Sequence, residues 1–465
     1  MKVKFCGAAR EVTGSAHLIT LENGYTILLD CGLYQGGEKS MRDFNYQWHF
    51  EPHRIDCVVL SHAHIDHSGR LPKLVKDGFN GPIYATHATR SLCNIMLLDS
   101  AMIQERDADY ENRHNDDGRK DREPLYESVD VHRTMELFAT FPYNRWFSIH
   151  PDVEVQFRDT GHILGSASVT LRIREEKRTI HFGFTGDIGR PNRPILRDPQ
   201  PMPAVDYLIC ESTYGDRLHE DGPAATEHFL RVVREACVER KGKLLIPAFS
   251  VGRTQEIVYL MDQLVNAGRM PAVPVFVDSP LAVNATTVYG DHPECYDDDL
   301  QAYLLTDENP FGFNGLRYIR KVEESKKLNA HTEPCIIISA SGMMNAGRVK
   351  HHLFNMIDNP LHTILLVGYA SPETPGGRLL AGAQGLKLFG EYKPVRAHIE
   401  TMDSFSAHGD QAEMIDFLKN QRQHVKKIFL VHGEIDRQEP FRDKLLESQF
   451  QEVVIPELGD EVELS

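Results

Sequence analysis

Leu60-Ser61-His62-Ala63-His64-Ile65-Asp66-His67-Ser68-Gly69 is the stretch on which the fold and the chemistry turn. It places imidazole and carboxylate groups at His62, His64, Asp66 and His67 directly after an apolar run, Cys57-Val58-Val59-Leu60. In an extended segment alternate side chains share a side, so His62 and His64 can converge on one metal ion. As the chain turns, it can deliver Asp66 and His67 to a second. The product expected of such a density of ligands is a two-metal hydrolytic site.

The surrounding chain has the grammar of a layered α/β protein. Short apolar runs repeatedly end in a residue with chemistry: 26–29 at Asp30, 180–186 at Asp187, 207–210 at Glu211 and 428–431 at His432. Buried strands of α/β folds deliver site residues at their ends in this way. Between them, 224–240, 254–268 and 410–421 carry apolar residues at helical spacing and read as packing helices without chemistry. The most polar stretch, 104–123, reads as a solvated loop between helices. No internal repeat or low-complexity tract stands out.

Composition bounds the rest. With 465 residues, 41% of them hydrophobic, the chain is a globular protein too large for one compact core, and two or three domains are expected. No stretch approaches the ~18 apolar residues of a membrane span, and the N-terminus has no secretory h-region, so a cytoplasmic protein that does not enter the membrane is expected. The 8 cysteines form no C-x-x-C pair, and Cys6, Cys57, Cys210 and Cys335 sit inside apolar runs as small hydrophobes. A net charge of -16 rules out a broadly basic surface. It leaves a nucleic-acid substrate open, because a local groove rather than the global sum meets phosphates.

Asp30, His62-Ala63-His64-Ile65-Asp66-His67, Thr160-Gly161-His162 and Thr185-Gly186-Asp187 together resemble the ordered motif set of the metallo-β-lactamase superfamily. Glu211-Ser212-Thr213-Tyr214-Gly215-Asp216, Ser404-Phe405-Ser406-Ala407-His408-Gly409-Asp410 and Leu430-Val431-His432-Gly433-Glu434 resemble the three further motifs of its β-CASP branch. That branch includes the nuclease subunit of the pre-mRNA 3′-end cleavage machinery, ribonuclease J and short RNA-degrading nucleases, and this chain looks most similar to the short bacterial type. The fold so implied is an αββα metallo-β-lactamase sandwich carrying an inserted α/β β-CASP domain. If Asp187 and His432 are both ligands, the chain between them must leave the first domain and return. The core is therefore expected at 1–207 and 392–465, with the insert at 208–391. The resemblance further implies that the insert lids the metal cleft.

On this resemblance, His62, His64 and His162 would hold one metal, Asp66, His67 and His432 the other, and Asp187 would bridge them. Imidazole and carboxylate without thiolate suit two zinc ions, and manganese would tolerate the same set. Two metals about 3.5–4 Å apart acidify a water and stabilise charge on a phosphodiester oxygen. Asp30 is expected to orient a ligand histidine, Asp66 to take a proton from the attacking water, and Glu211 to pair with His408, fitting that imidazole to protonate the leaving 3′ oxygen. The segment Ser339-Ala340-Ser341-Gly342-Met343-Met344-Asn345-Ala346-Gly347-Arg348 precedes a helical stretch and could cradle an anion. Ser341, Arg348, Arg378, Ser404 and Ser406 are the expected substrate contacts.

The implied activity is hydrolysis of single-stranded RNA, mainly endonucleolytic, with 5′-to-3′ exonuclease action allowed and a homodimer expected. A small-molecule hydrolase such as a lactonase or thioesterase would use the same core but needs no Glu211–His408 acid pair. A non-catalytic RNA-processing scaffold would show eroded ligands.

Overall fold

The computed structural model describes residues 1–35, 43–113, 123–175, 178–219, 224–368, 370, 372–402 and 407–464. It divides into two compact units: Met1–Leu218 together with His408–Ser465, and His219–Ala407.

The first unit is built on two sheets. One takes its strands in the order Glu461–Glu463, Lys2–Phe5, His17–Thr20, Thr26–Leu29, Cys57–Val59, Ile83–Ala85 and Phe138–Thr140. The other takes Val453–Val454, Lys427–Val431, Tyr207–Glu211, Arg178–Phe184, Ala167–Glu175, Val153–Asp159 and Trp146–His150. Their facing surfaces share one core, with Val3, Ile19, Ile27, Leu29 and Val59 from the first sheet against Phe157, Val169, Leu171, Phe182, Ile209 and Phe429 from the second. Alternation explains why the strands read as continuous apolar runs. Ile209, Phe429 and Val431 point into this shared core, whereas Leu208, Cys210, Ile428 and Leu430 pack outward against Met414, Phe417, Phe441 and Leu445 of the helices Gln411–Phe417 and Ile435–Glu447. The result is the helix–sheet–sheet–helix layering expected of the superfamily.

The second unit carries its own parallel sheet, ordered Leu316–Tyr318, Val275–Val277, Cys335–Ser339, Lys243–Pro247, Thr363–Leu366 and His398–Thr401. Because His398–Thr401 pairs in register with Thr363–Leu366, and Glu391–Pro394 forms a hairpin with Gly385–Leu388, residues 392–402 and Ala407 belong to this unit and not to the core where sequence placed them. Residues 208–218 move the other way, since Tyr207–Glu211 is an inner strand of the second sandwich sheet.

Three local expectations need correction. The polar stretch from 104 is not a loop as far as 113, because the helix His87–Arg113 runs through it, seated on buried Leu97, Ala101 and Ala108; residues 114–122 lie outside the described residues. The helix starting at Ala224 is α-helical only to Val233 and continues as a π-helix over Arg234–Glu239. The segment 410–421 splits into the helix Gln411–Phe417, opened by a capping box in which Asp410 and Glu413 exchange hydrogen bonds, and a short 3₁₀ turn. All eight cysteines are free and buried.

Candidate active site

The site lies where strands of the first unit end. Asp30 follows Thr26–Leu29, the His62–His67 segment follows Cys57–Val59, Asp187 follows Arg178–Phe184, Glu211 closes Tyr207–Glu211, and His432 follows Lys427–Val431. His64 immediately precedes the short helix Ile65–Ser68, which carries Asp66 and His67. The turns that aim these groups are tight. Gly186, one residue before Asp187, has φ +55, and a Cβ there would lie 2.8 Å from that of Ser61. Gly161, before His162, has φ +61 and a carbonyl 2.4 Å from where its Cβ would stand.

The side chains converge in three groups: His62, His64, His162 and Asp187; Asp66, His67 and His432; and Asp187, Glu211 and His408. His64 Nδ1 lies 3.1 Å from His62 Nε2 and 3.1 Å from His162 Nε2. His67 Nε2 lies 3.1 Å from His432 Nε2. The two oxygens of Asp187 are divided between the groups: Oδ2 is 3.4 Å from both His62 Nε2 and His162 Nε2, and Oδ1 is 3.3 Å from His67 Nε2 and 3.7 Å from His432 Nε2. Asp66 Oδ2 is 3.4 Å from His432 Nε2.

This arrangement fits divalent cations. Nitrogens bound ~2.0–2.1 Å from a tetrahedral metal stand about 3.3 Å apart, close to the spacing found here. One proton on His64 Nδ1 could satisfy only one of its two facing nitrogens. Among the described residues no hydrogen-bond donor meets the buried Asp187 Oδ1, a costly state for a carboxylate oxygen unless a cation meets it. Burial holds His64 down to about 3, and it likewise lowers His62 and His162, so these rings are neutral with lone pairs to give. For His67 burial acts in the same sense, but the Asp187 and Asp30 carboxylates outweigh it and raise the ring well above the ordinary value. Burial would raise Asp187, yet the surrounding His432, His67, His62 and His408 hold it well below the usual carboxylate range.

Around this cluster lies a second layer. Asp30 accepts from Ser61 N at 2.8 Å, from Ser61 Oγ at 2.9 Å and from Ser15 Oγ at 3.2 Å, and its Oδ2 lies 2.7 Å from His67 Nδ1. Ser61 Oγ in turn lies 3.0 Å from His62 Nδ1. His408 Nδ1 stands 3.1 Å from Glu211 Oε2. Burial opposes its charge, but Glu211 and Asp187 raise it to about 9. The pair is braced from behind, for Ile188 N donates to Glu211 Oε1 while Gly409 N donates to Ile188 O at 2.8 Å.

The expected substrate contacts fare unevenly. Arg348 is committed inside the second unit, donating to Asp278 Oδ1 at 2.6 Å and to the carbonyls of Arg320 and Ile319 at 2.6 and 3.4 Å, and is not a free cation for phosphate. Ser341 Oγ donates to Asn345 Oδ1 at 2.9 Å within its own turn. Arg378 stands exposed on the helix Pro375–Leu380, whose first turn is capped by Thr374. Ser404 and Ser406 lie outside the described residues. Two residues at the site, Ser61 and Thr213, contact its histidines and carboxylates without a role legible in the sequence. Their only signal is a hydroxyl beside a ligand or acid position, which is too common to single out.

Known proteins resemble this chain along nearly its whole length. Family models match at residues 9–229 (Metallo-beta-lactamase superfamily), 254–379 (Beta-Casp domain) and 392–456 (Zn-dependent metallo-hydrolase RNA specificity domain). The chain is 34% identical over 462 residues to Ribonuclease TTHA0252 of Thermus thermophilus, covering 99% of this chain and 100% of that one. It is 30% identical to Transcription termination factor FttA of Methanosarcina mazei, over 93% of this chain and 67% of that one. It is 29% identical to the FttA of Methanocaldococcus jannaschii, over 95% and 68%. The chain is therefore a metallo-hydrolase that belongs to the β-CASP branch of the metallo-β-lactamase superfamily.

Proposed function

We propose that this protein is a ribonuclease that hydrolyses phosphodiester bonds of single-stranded RNA, mainly endonucleolytically and with 5′-to-3′ exonuclease action within reach, in the cytoplasm. The observation that carries the reading is the Glu211–His408 pair, 3.1 Å apart and set against Asp187 of the ligand cluster. An acyl-bond hydrolase has no need of such a proton donor. The match to an RNA specificity domain and the likeness to a ribonuclease point the same way.

His62, His64 and His162 would hold one cation, Asp66, His67 and His432 another, with Asp187 shared. Bound there, two zinc ions (or manganese) would supply a water of lowered pKa and positive charge for the phosphodiester oxygens. The remaining work falls to the chain. With Nδ1 held by Glu211, His408 presents Nε2 as the donor to the leaving 3′ oxygen. Asp30 fixes His67 from behind, and Asp66 would take a proton from the attacking water. Arg378 supplies a phosphate contact, so Arg378→Ala should lower the log–log salt slope of RNA binding by about 0.7.

The test is to incubate the metal-loaded protein with 5′-labelled and internally labelled single-stranded RNA, beside lactone and thioester panels. Internal cuts in RNA with inert lactones and thioesters are expected. Turnover of a lactone or thioester with intact RNA would replace the nuclease with a small-molecule hydrolase.

A further inference from the structure

The Thr213 hydroxyl sits between the acid pair and the metal ligands: Oγ1 is 2.6 Å from Glu211 Oε2 and 2.9 Å from His432 Nδ1. A third contact, to the His432 carbonyl, is longer at 3.2 Å. A hydroxyl has one proton to give, and an ionised carboxylate can only accept. The shorter bond to the stronger acceptor takes that proton, so Thr213 donates to Glu211. It follows that His432 Nδ1 must carry the hydrogen and donate to Thr213 Oγ1, which leaves the Nε2 lone pair aimed at Asp66 and His67.

The same construction recurs across the site. Ser61 Oγ donates to Asp30 Oδ2 at 2.9 Å and stands 3.0 Å from His62 Nδ1, so His62 too presents Nε2 inward. In both places a buried carboxylate acts on a ligand imidazole through a hydroxyl. Such chains polarise one another, and each member strengthens the next. His432 needs the brace, for its backbone is held in the left-handed region at φ 52.

We infer that Thr213 is a positioning residue that couples Glu211 of the acid pair to metal binding at the Asp66–His67–His432 group, so that the two halves of the site are set together. This rests on the metal-ligand assignment of the proposed function and not on the identity of the substrate.

Zinc affinity measured by chelator competition, with metal per chain counted by elemental analysis, tests it without any RNA. Thr213→Val keeps the packing and removes the hydroxyl; one of the two zinc equivalents should then bind 10- to 100-fold more weakly, the effect typical of losing a ligand's outer partner. Thr213→Ser should restore wild-type binding. Glu211→Gln should weaken the same equivalent in the wild-type background and add nothing in the Thr213→Val background. Wild-type affinity in Thr213→Val, equal weakness in Thr213→Ser, or additive effects of the two substitutions would each overturn the coupling. A wild-type chain that binds both zincs with this pattern but leaves RNA intact would sink only the ribonuclease reading.

Discussion

His432 and Asp30 adopt left-handed backbones, φ 52 and 60, which cost non-glycine residues on the order of 1–3 kcal/mol each and persist only where the surroundings over-determine them. His432 is pinned by its N–H to the Ala8 carbonyl at 2.8 Å and by Thr213; Asp30 is pinned by both serine hydroxyls. Residues held so firmly should separate cleanly by role. Asp187→Ala is expected to lose metal and turnover together, because one carboxylate oxygen faces His62 and His162 and the other faces His67 and His432. His408→Ala is expected to keep its metal and its fold while losing about 10²- to 10⁴-fold in turnover, the usual worth of a general acid. Elemental analysis beside kinetics of the two variants checks this, and metal loss from His408→Ala would move that ring into the ligand shell. The residues that cluster here are legible in the sequence because His and Asp stand out at strand ends. The hydroxyl of Thr213 is not, since its role exists only in the distances to Glu211 and His432.

In the second unit, the end of the strand Val275–Val277 is anchored through Asp278. Asp278, fully buried, accepts from Ser325 Oγ at 2.5 Å, Arg348 at 2.6 Å and His352 Nε2 at 2.7 Å, tying the strand to the helices Val322–Ala330 and Val349–Met356. Burial would raise its carboxyl, but the bonds from His352, Ser325 and Arg348 prevail and hold it below the ordinary value. A depressed native pKa gives stability that is fully present above the unfolded value of ~3.9 and is lost as pH falls through the native one. Asp278→Asn should therefore destabilise this unit by about 3–5 kcal/mol at neutral pH, as expected when one partner of a buried pair is removed. Because Asn does not titrate, the deficit should shrink on acidification below pH ~4; a deficit constant down to pH 2 in denaturant titrations would contradict this. The charge of Arg348 suggested a phosphate contact in the sequence, whereas the partner that claims it lies 70 residues away. Likewise, the helix His87–Arg113 outruns its apolar stretch because a few small buried residues suffice to seat its polar second half.

For the molecule as a whole, the decisive feature is that neighbouring strands of one sheet flank the entire second unit. Tyr207–Glu211 pairs in parallel with Lys427–Val431, Glu211 opposite Val431. A chain cut after residue 407 thus lacks an inner strand, the edge strand Val453–Val454, and both His408 and His432. We expect such a fragment to be insoluble, or soluble with at most the His62–His64–His162 metal retained, and co-expression of 408–465 to restore solubility and the second equivalent. Metal removal from the full chain should lower its melting temperature in a chelator-dependent way, because ligands bound only to the folded state add stability by mass action; an unchanged melting curve would contradict the reading of Asp187 as a cation-met carboxylate. The existence of an insertion was legible from the separation of Asp187 and His432. Its edges were not, because the residues around 391–401 carry no mark of which sheet their backbone joins.

The buried thiols have a practical consequence. Burial pushes Cys31, Cys93 and Cys237 up to about 12 and Cys335 to about 11, so thiolate is scarce as well as enclosed. The native chain should be silent to maleimide until it unfolds, with mass spectrometry showing no adduct over hours at neutral pH. A cysteine introduced at an exposed position of each unit, such as Leu305 and Leu446, would then carry the only dyes on an otherwise unaltered protein. Single-molecule fluorescence transfer between them would follow the two units during turnover without first stripping the native sulfurs.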